Sequence, residues 1–500
     1  MLMHTVGRAG ATVSDGTLSV ISDQGNVTLS SATYQTTKAG LLNTDAAILI
    51  TAGGSIATVQ STLTTNTSGG ITLQAGTDVL LNSALCFFGC APTTTLTAAG
   101  NLDITATGGK IFFDPGGCCG SVGANLSGAK VTLTATGDIT PGGSITATAG
   151  DATVTASGNI NLLGGSGNLG NVSVTGGQAT LTAGGSLTSG NVSATNAVGL
   201  MAGGSLTTGT VSSSSSTVGL TSAGALSAGA LTAATGVTVH TTGASGDITV
   251  NGATVSNGTL SVISDAGSVT LNSANYQTTK AGLLNTNPAI LVEALGAGKT
   301  ITVNVNSNLT TNTSGGIKLV AGGDLTFSTS GCCGAGLVAA GNVVLSSAGG
   351  QILTTNLGVG LFGAQVTLTA AQGISLGSYG GPSIATTAGD AVVFVALKLL
   401  TVLAPFSSVP PTEVVVSVAP LIAPLCVMEP PAARVRLPVT VEAPSTSAFA
   451  STSVRFAPLV IETAPTKLFV AVSSVTLLPA PGVSVVVPVI ASVPLSVIEP

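Results

Sequence analysis

Leu181-Thr-Ala-Gly-Gly-Ser-Leu-Thr-Ser-Gly-Asn-Val192 and Leu200-Met-Ala-Gly-Gly-Ser-Leu-Thr-Thr-Gly-Thr-Val211 are two versions of one short segment, set end to end. Leu162, Leu181, Leu200 and Leu220 open successive segments 19, 19 and 20 residues apart. Each segment holds short alternating pieces, such as Gly-Ser-Leu-Thr and Asn-Val-Ser-Ala. Alternation sends every second side chain to one face, which marks a strand and not a helix. Gly-Gly, Gly-Asn and Gly-Asp punctuate the pieces as turns. About 20 residues with two or three short strands cannot bury an apolar face alone, but stacked on copies of themselves they can.

This pattern predicts an all-β chain folded as a right-handed parallel β-helix, a β-solenoid of short repeats. Leu, Ile, Val and Ala would point inward and stack on their counterparts in adjacent coils. Thr, Ser and Asn would form outward ladders, with neighbouring backbones about 4.8 Å apart. The competing all-β arrangement is a string of sandwich domains. Sandwich strands run five or six residues with turn signals every 8–12; here the pieces are shorter, the turns more frequent and the apolar residues smaller.

Outward from this region, a block of about 240 residues occurs twice. Gly16-Thr-Leu-Ser-Val-Ile-Ser-Asp23 returns as Gly258–Asp265, Tyr34-Gln-Thr-Thr-Lys-Ala-Gly-Leu-Leu-Asn-Thr44 returns unchanged from Tyr276 to Thr286, and Leu63-Thr-Thr-Asn-Thr-Ser-Gly-Gly-Ile71 returns from Leu309 to Ile317. The offset drifts from 242 to 246 and then to 235, as suits a stack in which loops grow without disturbing the coils. The organisation expected is a terminal fragment at 1–10, a first repeat block at 11–257 containing the 19–20-residue rungs at 162–239, a partial duplicate at 258–396, and a tail at 397–500. Alternation is read as placing Ile21 and Ile263 inward together with Leu29 and Leu271, and Tyr34 and Tyr276 at corresponding corners.

Only 6% of the 500 residues are charged and 3% aromatic, with no Trp. Regular placement of Val, Leu and Ile opposes disorder. A net charge of −6 without any basic run argues against nucleic acid as a partner. The start, Met-Leu-Met-His-Thr-Val-Gly-Arg, lacks the features of a signal peptide, and repetition begins at once. It reads as a chain that starts inside a longer gene, with a cytoplasmic solenoid as the alternative. Cys86, Cys90, Cys118, Cys119, Cys332 and Cys333 sit in Gly-rich insertions, and Cys426 in the tail. Thiolates suit Zn²⁺, but there is no CxxC, the histidines are only His4 and His240, and adjacent cysteines chelate one metal poorly. They read as loop cysteines that form local disulfides if the compartment is oxidising, so no metal ligands and no cofactor are assigned.

Near Leu397 the composition changes. Sixteen of the 21 prolines follow it, against one of the 68 glycines, and Asn, Asp and Gln vanish. Recurrent proline opposes helix and interior strand alike, and no apolar run is long enough to span a bilayer as a helix. Shifting each codon back by one base turns Val mainly into Gly or Ser, Pro into Ala, Thr or Ser, and TCN-type Ser into Val, Ile or Leu. That is the composition of residues 11–396, so the tail reads as the solenoid gene in the wrong frame, disordered and outside the solenoid. The alternative is a genuine Pro/Val-rich linker or wall-spanning stalk.

Catalysis needs convergent groups with tuned pKa values, and the sequence assigns no catalytic residue. Asp103, Asp114, Asp138 and Asp151 stand singly, without paired Arg. His240 lies in an alternating strand, at a surface ladder position. Gly164-Gly-Ser-Gly-Asn-Leu-Gly170 lacks the Lys-Ser/Thr and the helix of a phosphate cradle, and Gly322-Gly-Asp324 is an isolated match to part of a calcium-binding nonapeptide.

Ser68-Gly-Gly-Ile-Thr-Leu-Gln-Ala-Gly-Thr-Asp-Val-Leu-Leu81, Ala98-Ala-Gly-Asn-Leu-Asp-Ile-Thr-Ala106 and Thr180-Leu-Thr-Ala-Gly-Gly-Ser-Leu187 resemble the repeats of filamentous-haemagglutinin-type adhesins, bacterial exoproteins of the two-partner secretion route. The resemblance covers residues 11–396, and autotransporter passengers share the same solenoid. It implies a non-enzymatic shaft fragment of a secreted or cell-surface adhesin, not membrane-spanning. The partners implied are the host-cell surface or other bacterial cells, with an outer-membrane transporter during secretion. A polysaccharide-acting β-helix enzyme and the carrier stalk of a contact-dependent toxin are the other readings.

Overall fold

The computed structural model is a parallel β-solenoid, all-β, with no helix among the described residues. It describes residues 5–8, 10–30, 32–59, 61–82, 94–114, 124–140, 143–162, 171–272, 274–328, 335–355, 359–376, 383–395, 400–401, 414–418, 433–437 and 453–456. The chain divides into two units, Met1–Asn251 and Gly252–Pro500. In each, the backbone visits three sheets in turn and returns one coil further on.

Three strands of Met1–Asn251 make a representative coil: Leu187–Thr188 in the first sheet, Val192–Ala194 in the second and Val198–Ala202 in the third. Each pairs in parallel with its counterpart in the next coil, Leu187 with Leu206, Val192 with Val211 and Val198 with Val218. Val154, Leu181, Leu200, Leu220 and Val239 stack in one inward column. None is more than 2% exposed, and burying each such side chain contributes about 1.5–3 kcal/mol. Leu162 stands outside this column, because Leu181 pairs with Val154, 27 residues back. The extra length of that coil includes 163–170, which lie outside the described residues.

The Gly-Gly, Gly-Asn and Gly-Asp corners have specific jobs. A Cβ at Gly184 would lie 2.0 Å from the Ser157 carbonyl oxygen, and one at Gly203 2.1 Å from that of Gly184. Backbone rests on backbone there, and no other residue fits. Where an Asx follows the glycine, as at Gly137-Asp138 and Gly158-Asn159, its side chain turns to the next coil. Asp138 Oδ1 accepts the Asn159 N–H at 2.6 Å, and Asn159 Oδ1 accepts that of Ser186 at 2.7 Å. At another corner Asn171 and Asn191 accept from Asn191 N and Thr210 N, both at 2.8 Å.

The duplicated stretches adopt the same local structure, one in each unit. Ala46–Ala52 and Pro288–Ala294 share one burial pattern, with a register shift after the first residue of each. Leu29 and Leu271 are fully buried, as expected from alternation. Ile21 is not inward: Leu18 and Val20 are buried while Ile21 is 58% exposed, and Ile263 likewise stands out of phase with buried Leu260 and Val262. The phase is set by the serine that closes the strand. Ser22 points inward and its Oγ accepts the Gly25 N–H, as Ser264 does for Gly267. Tyr34 and Tyr276 occupy equivalent places, but inside strands Thr33–Thr36 and Asn275–Thr278 and not at corners; both are fully buried.

Beyond 396 the described residues are Leu400–Thr401, Val414–Val418, Ala433–Leu437 and Ser453–Phe456. The first pairs with Gly373–Ser375 in the first sheet; the others extend the third sheet from Ala391–Val395. This differs from the expectation that the tail adds nothing to the solenoid. None of these short runs contains proline, so each keeps the N–H groups a ladder needs. The rest of the tail lies outside the described residues.

Two substitutions test the interior. Val20→Asp should cost several kcal/mol, because it buries an unpaired charge, whereas Ile21→Asp should cost about 0.5 kcal/mol; thermal melts that rank them equally would contradict the phase. Thr58 is fully buried between Leu29 and Leu81, and its hydroxyl has no partner. Thr58→Val should therefore raise stability by about 1 kcal/mol, whereas Thr65→Val should lower it by about 1–3 kcal/mol. Thr65 Oγ1 donates to Gly69 O at 2.9 Å and accepts the Ala99 N–H at 2.7 Å.

Candidate functional site

Chemistry on a solenoid has to be assembled from outward columns and corner loops, since the interior is filled. On the third sheet of Met1–Asn251, Thr132, Thr153 and Thr180 lie in register, beside a second column of Thr134, Thr155 and Thr182. Neighbours in a column are one strand spacing apart, about 4.8 Å. Asp103 interrupts the first column between Thr72 and Thr132. His240 takes the surface ladder position its sequence implied, registered on Thr221.

The single carboxylates are not gathered into a centre. Asp138 and Asp151 bind backbone N–H groups of Asn159 and Gln178, and Asp324, of the Gly-Gly-Asp match, binds that of Gln351. Asp114 ends a first-sheet strand opposite Asn82, with its side chain outside the described set. Among the described residues no three His, Cys, Asp or Glu side chains converge as a metal site would require. All seven cysteines, His4 and Gly164–Gly170 lie outside the described residues. Burial drives the Tyr276 hydroxyl far above the usual phenol range, and Tyr276 Oη donates to Asn272 O at 3.0 Å. Tyr276 therefore stays neutral and serves the core.

Among the described residues the most exposed large apolar side chains are Leu42 and Leu284, at 69% and 68%. They occupy the same loop of the two units, which sequence reading did not single out. The signal was present: Tyr34–Thr44 and Leu63–Ile71 are the two longest unchanged matches between the copies, and they touch. Ser68 Oγ and Thr67 Oγ1 donate to Lys38 O at 2.7 Å, and the Leu41 N–H donates to Ser68 Oγ at 3.0 Å. Asn101 N donates to Asn43 O at 2.8 Å. In Gly252–Pro500, Ser314 and Thr313 hold Lys280 O, Leu283 N donates to Ser314 Oγ, and Asn342 N donates to Asn285 O. Gly40 and Gly282 turn each loop with φ of 78°. The loop charges differ, for Lys38 pairs with Asp15 at 3.7 Å, while Asn257 replaces that aspartate in the second copy.

The geometry defines a class, a three-sided parallel β-solenoid with polar outward columns and clamped corner loops. No family model, no curated protein and no solved structure matches the chain. No helix among the described residues is long and apolar enough to cross a membrane.

Ser68→Ala removes the hydroxyl that both donates to Lys38 O and accepts from Leu41 N. Stability should fall by about 1–2 kcal/mol, and amide hydrogen exchange at Leu41 should quicken about tenfold or more. Unchanged exchange at Leu41 would mean that the clamp does not hold the loop.

Proposed function

We propose that this chain is a non-enzymatic structural segment of a bacterial secreted or cell-surface adhesin, a stretch of shaft that makes weak, repeated contacts with host cells or other bacteria. The observation that carries the reading is the regular outward array. Thr columns recur over successive coils of the third sheet, at Thr132, Thr153 and Thr180 and at Thr134, Thr155 and Thr182, and the loops at Leu42 and Leu284 repeat a second kind of surface. Individually weak contacts of this kind gain about 10²–10⁴-fold when engaged together. Passage through an outer-membrane transporter belongs to the same proposal, and a transporter gene beside this one would identify the route. Beads coated with the chain should adhere to bacterial or epithelial cells far better than the free chain binds them. Coated beads that adhere no better than albumin-coated beads would remove the adhesive role.

The same proposal treats residues 397–500 as solenoid gene read in a shifted frame. Strand spacing supports it: Ala391 registers on Val414, Val414 on Ala433 and Arg434 on Ser453, at 23, 19 and 19 residues. A repetitive gene keeps its period in every frame while losing its glycines. Translating the gene in its other frames should restore Gly-Asn and Gly-Asp strand repeats after Ala396; if neither frame does so, the tail is genuine sequence.

A further inference from the structure

The second sheet of Gly252–Pro500 departs from its counterpart in Met1–Asn251 over three consecutive coils. In Met1–Asn251, strands Thr95–Thr97, Ala124–Gly128 and Gly143–Ala147 present two outward columns. One is Thr95, Asn125 and Ser144; the other is Thr97, Ser127 and Thr146. Ser144 Oγ donates to Asn125 Oδ1 at 2.7 Å along the first. The corresponding strands are Gly336–Ala339, Gly360–Gly363 and Ser383–Thr386. They register Gly336 on Gly360 on Ser383, and Val338 on Phe362 on Ala385. The correspondence follows from shared flanks, Leu96-x-Ala-Ala-Gly-Asn with Leu337-x-Ala-Ala-Gly-Asn, and Gly128-Ala-x-Val-Thr-Leu-Thr-Ala with Gly363-Ala-x-Val-Thr-Leu-Thr-Ala.

Six polar side chains have become two glycines, one serine and three apolar residues. The core does not ask for this change. Leu337, Leu361 and Ile384 already fill the inward positions at 0%, 0% and 3% exposure. Val338 and Phe362 meanwhile stand 45% and 38% exposed. Val338 and Phe362 are neighbours in one column, so they form a small contiguous apolar patch on an otherwise Thr- and Gln-bearing sheet face.

The shape selects the occupant. A ridge, Val338 and Phe362, runs beside a furrow where Gly336 and Gly360 have no side chains. The two lie two residues apart along the strand, about 6.6 Å. A two-fold axis lying between the facing sheets and parallel to the ridge sets the ridge of one copy into the furrow of the other, and the reverse, in an isologous contact. Facing sheets then pack about 10 Å apart, as in a sandwich core. A foreign partner would need a ridge and a furrow at the same spacing; a second copy of this chain has both by construction. We propose that the outward face at Gly336–Thr386 is a self-association surface, on which two copies pair through Val338 and Phe362.

Three coils make a small patch, so the association belongs at the weak end of specific interfaces, and the test should reach on the order of 100 µM. Sedimentation equilibrium of the full chain should show the mean mass rising toward twice that of one chain. Two variants attack the face separately. V338T/F362S/A385T installs the residues that Met1–Asn251 carries at these positions in the same sheet. G360N fills the furrow with the asparagine found at position 125 and leaves the ridge intact. Each should weaken pairing at least tenfold with strand circular dichroism unchanged; if one variant loses that signal, the other decides. A wild-type mass that stays at one chain throughout, or folded variants that associate as the wild type does, would overturn the proposal.

Discussion

Every coil of this protein has to bring its backbone back to one strand spacing above where it began. That constraint governs both inside and outside. Parallel pairing satisfies N–H and C=O groups only if each residue meets its counterpart in register, so an inward leucine meets an inward leucine, as Leu181, Leu200 and Leu220 do. The same closeness forbids Cβ atoms where corners rest on corners. Gly184 and Gly203 meet carbonyl oxygens at distances that no side chain tolerates. Abundant small residues and scarce aromatic ones follow from the narrow interior. Among the described residues the buried aromatic exceptions are Tyr34, Tyr276 and Phe327.

Register is local, and this explains why coil length is free to vary. From Val198 the third-sheet strand returns after 20 residues at Val218, whereas from Ile71 it returns after 31 at Leu102. The longer coil includes 83–93, which lie outside the described residues, and its strand still registers on the same column. A repeat in such a chain is conserved in its columns and not in its period. A sequence search for fixed spacing therefore finds the 19–20-residue coils and misses their longer neighbours.

What could be read from the sequence divides along this line. Alternation and Gly-Asx turns predicted an all-β parallel solenoid, because both are direct consequences of stacking. The phase of Leu18-Ser-Val-Ile-Ser22 was legible but misread, since one parity buries both Leu18 and Val20 whereas the other buries Ile21 with Ser19. Ser22 Oγ, inward on the first parity, accepts the Gly25 N–H three residues on. Leu162 was misplaced for a related reason: its spacing from Leu181 equals a coil length, but it follows a different strand. The short strands beyond 396 were missed because proline content was averaged over the tail, although runs such as Val414–Val418 contain none. The surface loops at Leu42 and Leu284 were visible as identity between copies, but their clamp by Ser68 and Ser314 needed coordinates.

The outward face obeys a weaker rule than the interior, and comparison of the two copies shows where. Inward positions of the second sheet are kept, Leu96 as Leu337 and Leu126 as Leu361, and elsewhere inward exchanges stay buried, as Thr58 to Val303 and Leu81 to Phe327. Outward positions pair only through solvent-facing contacts, each worth a few tenths of a kcal/mol to about 1 kcal/mol. Thr97 can become Val338, and Ser127 can become Phe362, at small cost to the stack. A duplicated solenoid thus carries two copies of one core and two independent surfaces. The core tells what the chain is, since stacking admits few alternatives. Whatever the chain binds must be sought where the copies differ outside, or where they agree outside against the freedom to drift, as at the clamped leucine loops.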